Sequence, residues 1–152
     1  MKVKDYHLAS FCGIYCGACP SYQRKTCYGC KSEDRSQKRT SKFGCNIRNC
    51  CTSKNLDFCF NCSDYPCQYL LKLKNSHLID DRYDYRHQIL YSLVRISKIG
   101  LEAWLKEQEA IWSCPNCGDR VVFYENKCLK CSLILKNVLK KYMEKYEVEE
   151  NL

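Results

Sequence analysis

Fifteen of the 152 residues are cysteine, and their spacing constrains what the chain can fold into more than any other feature. Ten of them form Cys-x-x-Cys pairs: Cys16 with Cys19, Cys27 with Cys30, Cys59 with Cys62, Cys114 with Cys117, and Cys128 with Cys131. Eleven cysteines lie between Cys12 and Cys67 and four between Cys114 and Cys131, while residues 68–113 contain none. The first 67 residues are poor in Leu, Ile and Val, so this part needs crosslinks to fold. An odd cysteine count and the Cys-x-x-Cys spacing point to bound metal rather than disulfides. The segment Met1–His7 has no apolar stretch and no small-residue cleavage site, so a secretory signal is not expected. No stretch approaches the length of a transmembrane helix. Disulfides belong to oxidising compartments, and the expected setting is a reduced cytoplasm.

The formal net charge of +8 invites a nucleic-acid reading. That count treats every cysteine as a neutral thiol, whereas zinc binds thiolates. A zinc ion with four thiolates carries a formal −2, so three such centres would lower +8 to about +2. Most of the basic excess then balances the metal sites.

The chain divides into a Cys-rich metal-binding region (1–67), a helical region (68–112), a zinc ribbon (113–131) and a C-terminal helix (132–152), expected to pack as one unit. The first region carries Gly13, Gly17, Gly29 and Gly44 and little apolar periodicity, so loops and short helices organised around metal are expected. The polar run from Lys31 to Thr40 reads as an exposed, solvated loop. A short helix continues from Cys67 through Tyr69, Leu70 and Leu73. From Arg86 to Lys98, Ile89, Leu90, Leu93, Val94 and Ile96 form a helical apolar stripe. Gly100 breaks it, and Leu101, Trp104, Leu105 and Ile111 mark a second helix. Val121–Tyr124 has strand composition. From Ser132 to Glu149, Leu135, Val138, Leu139, Tyr142 and Tyr146 repeat at helical spacing. The fold class expected is a small metal-stabilised α+β protein: an irregular zinc-binding N-terminal part, central helices, a ribbon with a short β-hairpin, and a terminal helix.

The clearest motif is Cys114-Pro115-Asn116-Cys117, followed after ten residues by Cys128-Leu129-Lys130-Cys131. Zinc takes four tetrahedral ligands, and each Cys-x-x-Cys turn places two sulfurs on one side of the ion. Gly118 follows the second sulfur, where a left-handed residue continues the turn. Cys16, Cys19, Cys27 and Cys30 repeat the pattern with seven residues between the pairs and are assigned a second zinc. Cys45, Cys50, Cys59 and Cys62 are the simplest third site. Cys12 and Cys67 are additional candidate ligands, and Cys51 is left over. Spacing does not determine how these knuckles combine. Zinc, two or three per chain, is favoured over an iron–sulfur cluster. Cys12, Cys16 and Cys19 have a radical-enzyme spacing, but the alternating strands and helices of a barrel are missing from the pattern. The compact ferredoxin run is not matched either.

His7, His77 and His87 stand in no recognisable triad, and there is no phosphate-binding glycine loop or paired-carboxylate motif, so no catalytic residue is assigned.

The run Cys12-Gly13-Ile14-Tyr15-Cys16-Gly17-Ala18-Cys19-Pro20-Ser21-Tyr22 resembles the opening of a prokaryotic cysteine-rich family catalogued as domain of unknown function 3795. The resemblance continues in order through Cys27-Tyr28-Gly29-Cys30, Cys45 to Cys50, Phe58 to Cys62, Asp64 to Cys67 and Ile99 to Leu105, from about Cys12 to Trp112. It implies metal binding in a prokaryotic cytoplasm and no particular reaction. It also makes Cys12 and Cys67 part of the family's cysteine set and Cys51 an extra. The expected function is a zinc-stabilised interaction module. A protein partner is favoured, with nucleic acid as the alternative through Tyr22, Tyr28 and Phe43 beside the basic loop. An iron–sulfur or thiol redox role is the other alternative, and no membrane partner is expected.

Overall fold

Two apolar stripes at helical spacing, separated at Gly100, build the centre of the molecule. The computed structural model describes residues 3–148. In chain order it contains α1 (Val3–Tyr6), α2 (Pro20–Gln23), α3 (Asn46–Ser53), α4 (Gln68–Lys74), α5 (Asp84–His87), α6 (Ile89–Ile99) and α7 (Leu101–Ile111). The strands β1 (Val121–Val122) and β2 (Lys127–Cys128) follow, then α8 (Val138–Tyr146). Single 3₁₀ turns at Cys16–Ala18 and Cys59–Asn61 carry two of the Cys-x-x-Cys pairs.

Helix α6 buries Ile89, Leu90, Leu93, Val94 and Ile96, and α7 buries Trp104 and Leu105 against it. The helical stripe begins later than its sequence suggests, because Gln88 interrupts the chain between α5 and α6. Trp104 is fully buried, with its ring edge-on to Tyr15 of the cysteine-rich part. One continuous apolar cluster runs from Ala9 and Phe11 through Leu70, Ile89 and Trp104 to Val121, Leu139 and Tyr142. It draws on all four segments marked out in the sequence.

The hairpin pairs Val121 with Cys128 and Val122 with Lys127, antiparallel. It is shorter than the Val121–Tyr124 run because Tyr124 and Asn126 adopt positive φ and turn the chain. The Phe123 amide donates to the Ala18 carbonyl at 3.0 Å, which ties the hairpin to the cysteine-rich part. The last helix is also shorter than expected. Ile134 bridges to Lys127 of the hairpin, and Asn137 at φ 61 turns the chain before α8 can start. Glu149, at the end of the expected helix, lies outside the described residues. The run from Lys31 to Thr40 is exposed as expected at residues 33–36 and 38–40, while Lys31, Ser32 and Gln37, with Lys42 just beyond, are buried. No described helix is long and apolar enough to cross a membrane.

Candidate metal centres

The ribbon is built from two turns of the same kind. After Cys117, the Gly118 amide donates to the Cys114 carbonyl at 2.8 Å, with Gly118 at φ 78. After Cys131, the Ser132 amide donates to the Cys128 carbonyl at 3.1 Å, with Ser132 at φ 63. Each turn therefore presents two sulfurs to one side, and the β1–β2 register sets the turns opposite each other. The Sγ atoms of Cys114, Cys117, Cys128 and Cys131 all lie within 4.8 Å of one another. Cys114 and Cys131 are 3.6 Å apart and Cys117 and Cys128 3.4 Å. Sulfurs on a tetrahedral zinc with 2.3 Å bonds stand roughly 3.8 Å apart, so this quartet needs only slight adjustment to hold an ion. Backbone N–H donation from Leu133, helped by the Asn116 side chain, pulls the Cys131 thiol down to about 6. Entry of a cation drives the protons off the ligating sulfurs.

The first pair of knuckles is assembled by the N-terminal loops. The Cys19 amide closes on the Cys16 carbonyl at 3.0 Å, and Pro20 starts α2. The Cys19 sulfur accepts from the Ser21 and Tyr22 amides, although burial is the larger influence and pushes its thiol up. The hydrogen bond between the Cys16 and Cys30 thiols raises Cys30 well above the ordinary range. Cys16 and Cys27 are buried, and Cys19 and Cys30 partly so. Among the described residues, no group besides the ribbon quartet brings three or more Cys, His, Asp or Glu ligand atoms within 4.8 Å of one another.

What distinguishes this region is a set of buried cations. Lys31, Lys42 and Arg48 are 4%, 8% and 5% exposed. Lys42 Nζ donates to the carbonyls of Gly29 (2.6 Å) and Ser32 (2.9 Å). Arg48 donates to the Cys30 carbonyl at 2.9 Å and to Glu33 at 2.8 Å. Lys31 Nζ is buried with no hydrogen-bond partner, 3.6 Å from the Phe58 ring centroid and 4.3 Å from that of Tyr6. Rings alone offset only part of the cost of desolvating an ammonium. The groups that attract Lys31 are Asp57, Cys16, Cys51 and Cys30, and those that attract Lys42 are Cys27, Cys30 and Cys16. Lys31 and Lys42 thus turn inward, while Arg35, Lys38 and Arg39 of the same stretch stay exposed.

The remaining cysteines separate. Cys45 caps α3 and is exposed, beside Gln68, Tyr69 and Lys72 in a surface groove. Cys50, Cys51, Cys59, Cys62 and Cys67 line a neighbouring small cavity of about 20 Å³. Cys12 is buried, its Sγ 3.2 Å from Ser10 Oγ, and burial pushes its thiol up to about 12.

Residues 8–72 match the family model described as Protein of unknown function (DUF3795). The match supports the resemblance seen in the sequence over this stretch, which ends within α4 and includes neither the α6–α7 pair nor the ribbon. No curated protein and no solved structure matches the chain.

Two features escape the sequence. Cys51 looks surplus there, yet its sulfur lies 3.7 Å from that of Cys59. The adjacent Cys50–Cys51 pair on a short helix is the signal for it. The buried cations have no comparable signal, because a Lys-Arg run reads first as a solvated face.

Proposed function

We propose that this chain is a metal-binding protein with structural zinc on four-cysteine sites, acting as an interaction module for a protein partner. The observation that carries this reading is the convergence of Cys114, Cys117, Cys128 and Cys131 within 4.8 Å. A second site uses Cys16, Cys19, Cys27 and Cys30. Thiolates there supply negative charge beside buried Lys31 and Lys42, while Arg48 is paired with Glu33.

A protein partner is favoured over nucleic acid by the cleft beside the first knuckles. Its volume is about 970 Å³, and Tyr15, Tyr22 and Tyr28 line it together with Lys25, Lys106 and Arg120. The same walls carry Asp5, Glu102 and Glu109, which repel phosphates, while mixed charge between tyrosines suits a polypeptide.

The test is elemental analysis of the full chain, purified without oxygen, beside an absorption spectrum. About two to three zinc per chain with no iron is expected, and Cys117→Ser should remove one zinc. Iron with visible absorbance, or an unchanged zinc content in Cys117→Ser, would overturn the assignment.

A further inference from the structure

The cavity under α3 is lined by five cysteines from three places in the chain, together with Ile47, Leu56, Tyr65 and Tyr69. Cys50 and Cys51 come from α3, Cys59 and Cys62 from the 3₁₀ turn, and Cys67 from the residue that caps α4. We propose that it is a separate metal centre for one soft divalent ion such as zinc, held by Cys59, Cys62, Cys67 and a thiolate of α3, with no part played by Cys45.

Buried thiols can pack as small apolar groups, but three observations depart from that. First, the Cys62 amide closes on the Cys59 carbonyl at 3.1 Å, the same short turn that Cys16 and Cys19 form. Second, the Cys62 sulfur receives two donors, the Asp64 amide and the Lys54 ammonium, each at 3.4 Å. A sulfur with two N–H donors aimed at it is engaged as an acceptor rather than only packed as an apolar group. Third, cations flank the cavity. Lys54 lies outside, and the buried Lys31 ammonium, without a hydrogen-bond partner, is attracted by Asp57 first and then by Cys16 and Cys51.

The space and the sulfur supply agree. About 20 Å³ accommodates one ion-sized body. Cys51 and Cys59 already stand 3.7 Å apart, close to the spacing on zinc. The five sulfurs are less converged than the ribbon quartet, so the ion draws them in by side-chain rotation. Each bound thiol loses its proton to solvent and becomes a thiolate. Cys45 lies at the start of α3, lining the groove beside Lys72 instead.

This centre rests on the reading of the chain as a metal protein but not on the ribbon. The two are separated by counting zinc per chain by native mass spectrometry on the full-length protein. Cys62→Ser and Cys67→Ser should each carry one zinc fewer than wild type, Cys45→Ser should carry the wild-type number, and the deficit should add to that of Cys117→Ser. Wild-type zinc content in Cys62→Ser and Cys67→Ser overturns the centre. An unchanged Cys117→Ser with a deficient Cys67→Ser would instead strike only the ribbon. Because a variant can fail to fold, the unmodified chain is also alkylated with and without a zinc chelator and its peptides weighed. Zinc should shield Cys59, Cys62 and Cys67 while Cys45 labels equally in both states. Equal labelling of Cys62 and Cys67 in both states also overturns it.

Discussion

Gly29 shows how closely the first knuckles constrain the backbone. It sits inside the Cys27–Cys30 turn at φ 98, and a Cβ placed there would lie 2.3 Å from the His7 carbonyl oxygen. Backbone cannot retreat as a flexible side chain can, so Gly29→Ala meets both an unfavourable φ and a collision. A loss of about 2–4 kcal/mol is expected from these two effects together. The shift should appear in the denaturant midpoint of zinc-loaded protein, with faster zinc transfer to a chelator. A variant as stable as wild type would mean that the His7 segment is not held against the turn. Gly118, by contrast, has open space around its Cβ position, so only its φ of 78 restricts it.

Between elements, the last helix adds to its apolar contacts through Leu139 and Tyr142 a link to one carboxylate. Glu107 of α7 receives the Arg95 guanidinium of α6 at 2.6 Å and the Tyr142 hydroxyl of α8 at 3.0 Å. The Arg95 and Glu107 side chains are 22% and 13% exposed, so water screens the pair only weakly. Glu107→Gln keeps the shape and removes the charge, and a destabilisation of about 1–3 kcal/mol is expected. Tyr142→Phe should cost about 1 kcal/mol. The double variant should lose less than the sum, since both changes strike one network. Strict additivity in urea unfolding would show that the two contacts are independent. The helices carrying this network were legible because their apolar residues repeat every third or fourth position, a purely local signal. The Cys-x-x-Cys turns and Gly118 were legible for the same reason. The grouping of Cys50, Cys51 and Cys67 apart from Cys45 was not, since it depends on where α3 and α4 pack. Nor was the inward turn of Lys31 and Lys42, because charge in a sequence does not reveal whether it will meet water, an aromatic ring or a backbone carbonyl. The short α8 reflects competing local geometry: Ile134 pairs with Lys127 of the hairpin, and Asn137 at positive φ turns the chain before α8.

At the scale of the whole molecule, the distant segments are joined by hydrogen bonds that need tyrosine in its protonated form. Tyr6 donates to Asp57 at 3.0 Å across 51 residues of sequence, and Tyr142 donates to Glu107 across 35. Burial and then the Asp57 carboxylate push Tyr6 from 10 up to about 12, and burial with Glu107 pushes Tyr142 upward too. A group raised in the folded state contributes stability that is complete below its unfolded value and is lost as pH climbs through the folded one. The stability linked to Tyr6 is therefore intact below about pH 10 and disappears as pH rises toward about 12. A zinc-bound thiolate has no proton to release in that window, whereas the buried Cys12 thiol, also raised to about 12, does. The alkaline loss should therefore come from the tyrosines and Cys12 rather than from the metal. Denaturation at a series of pH values between 9 and 12 tests this, beside a zinc indicator. The slope of stability against pH should be downward in wild type and shallower in Tyr6→Phe, with zinc still bound in the folded fraction. A slope that the Tyr6→Phe change leaves untouched would clear Tyr6 of the effect, and zinc released ahead of unfolding would place the alkaline weakness in the metal centres instead.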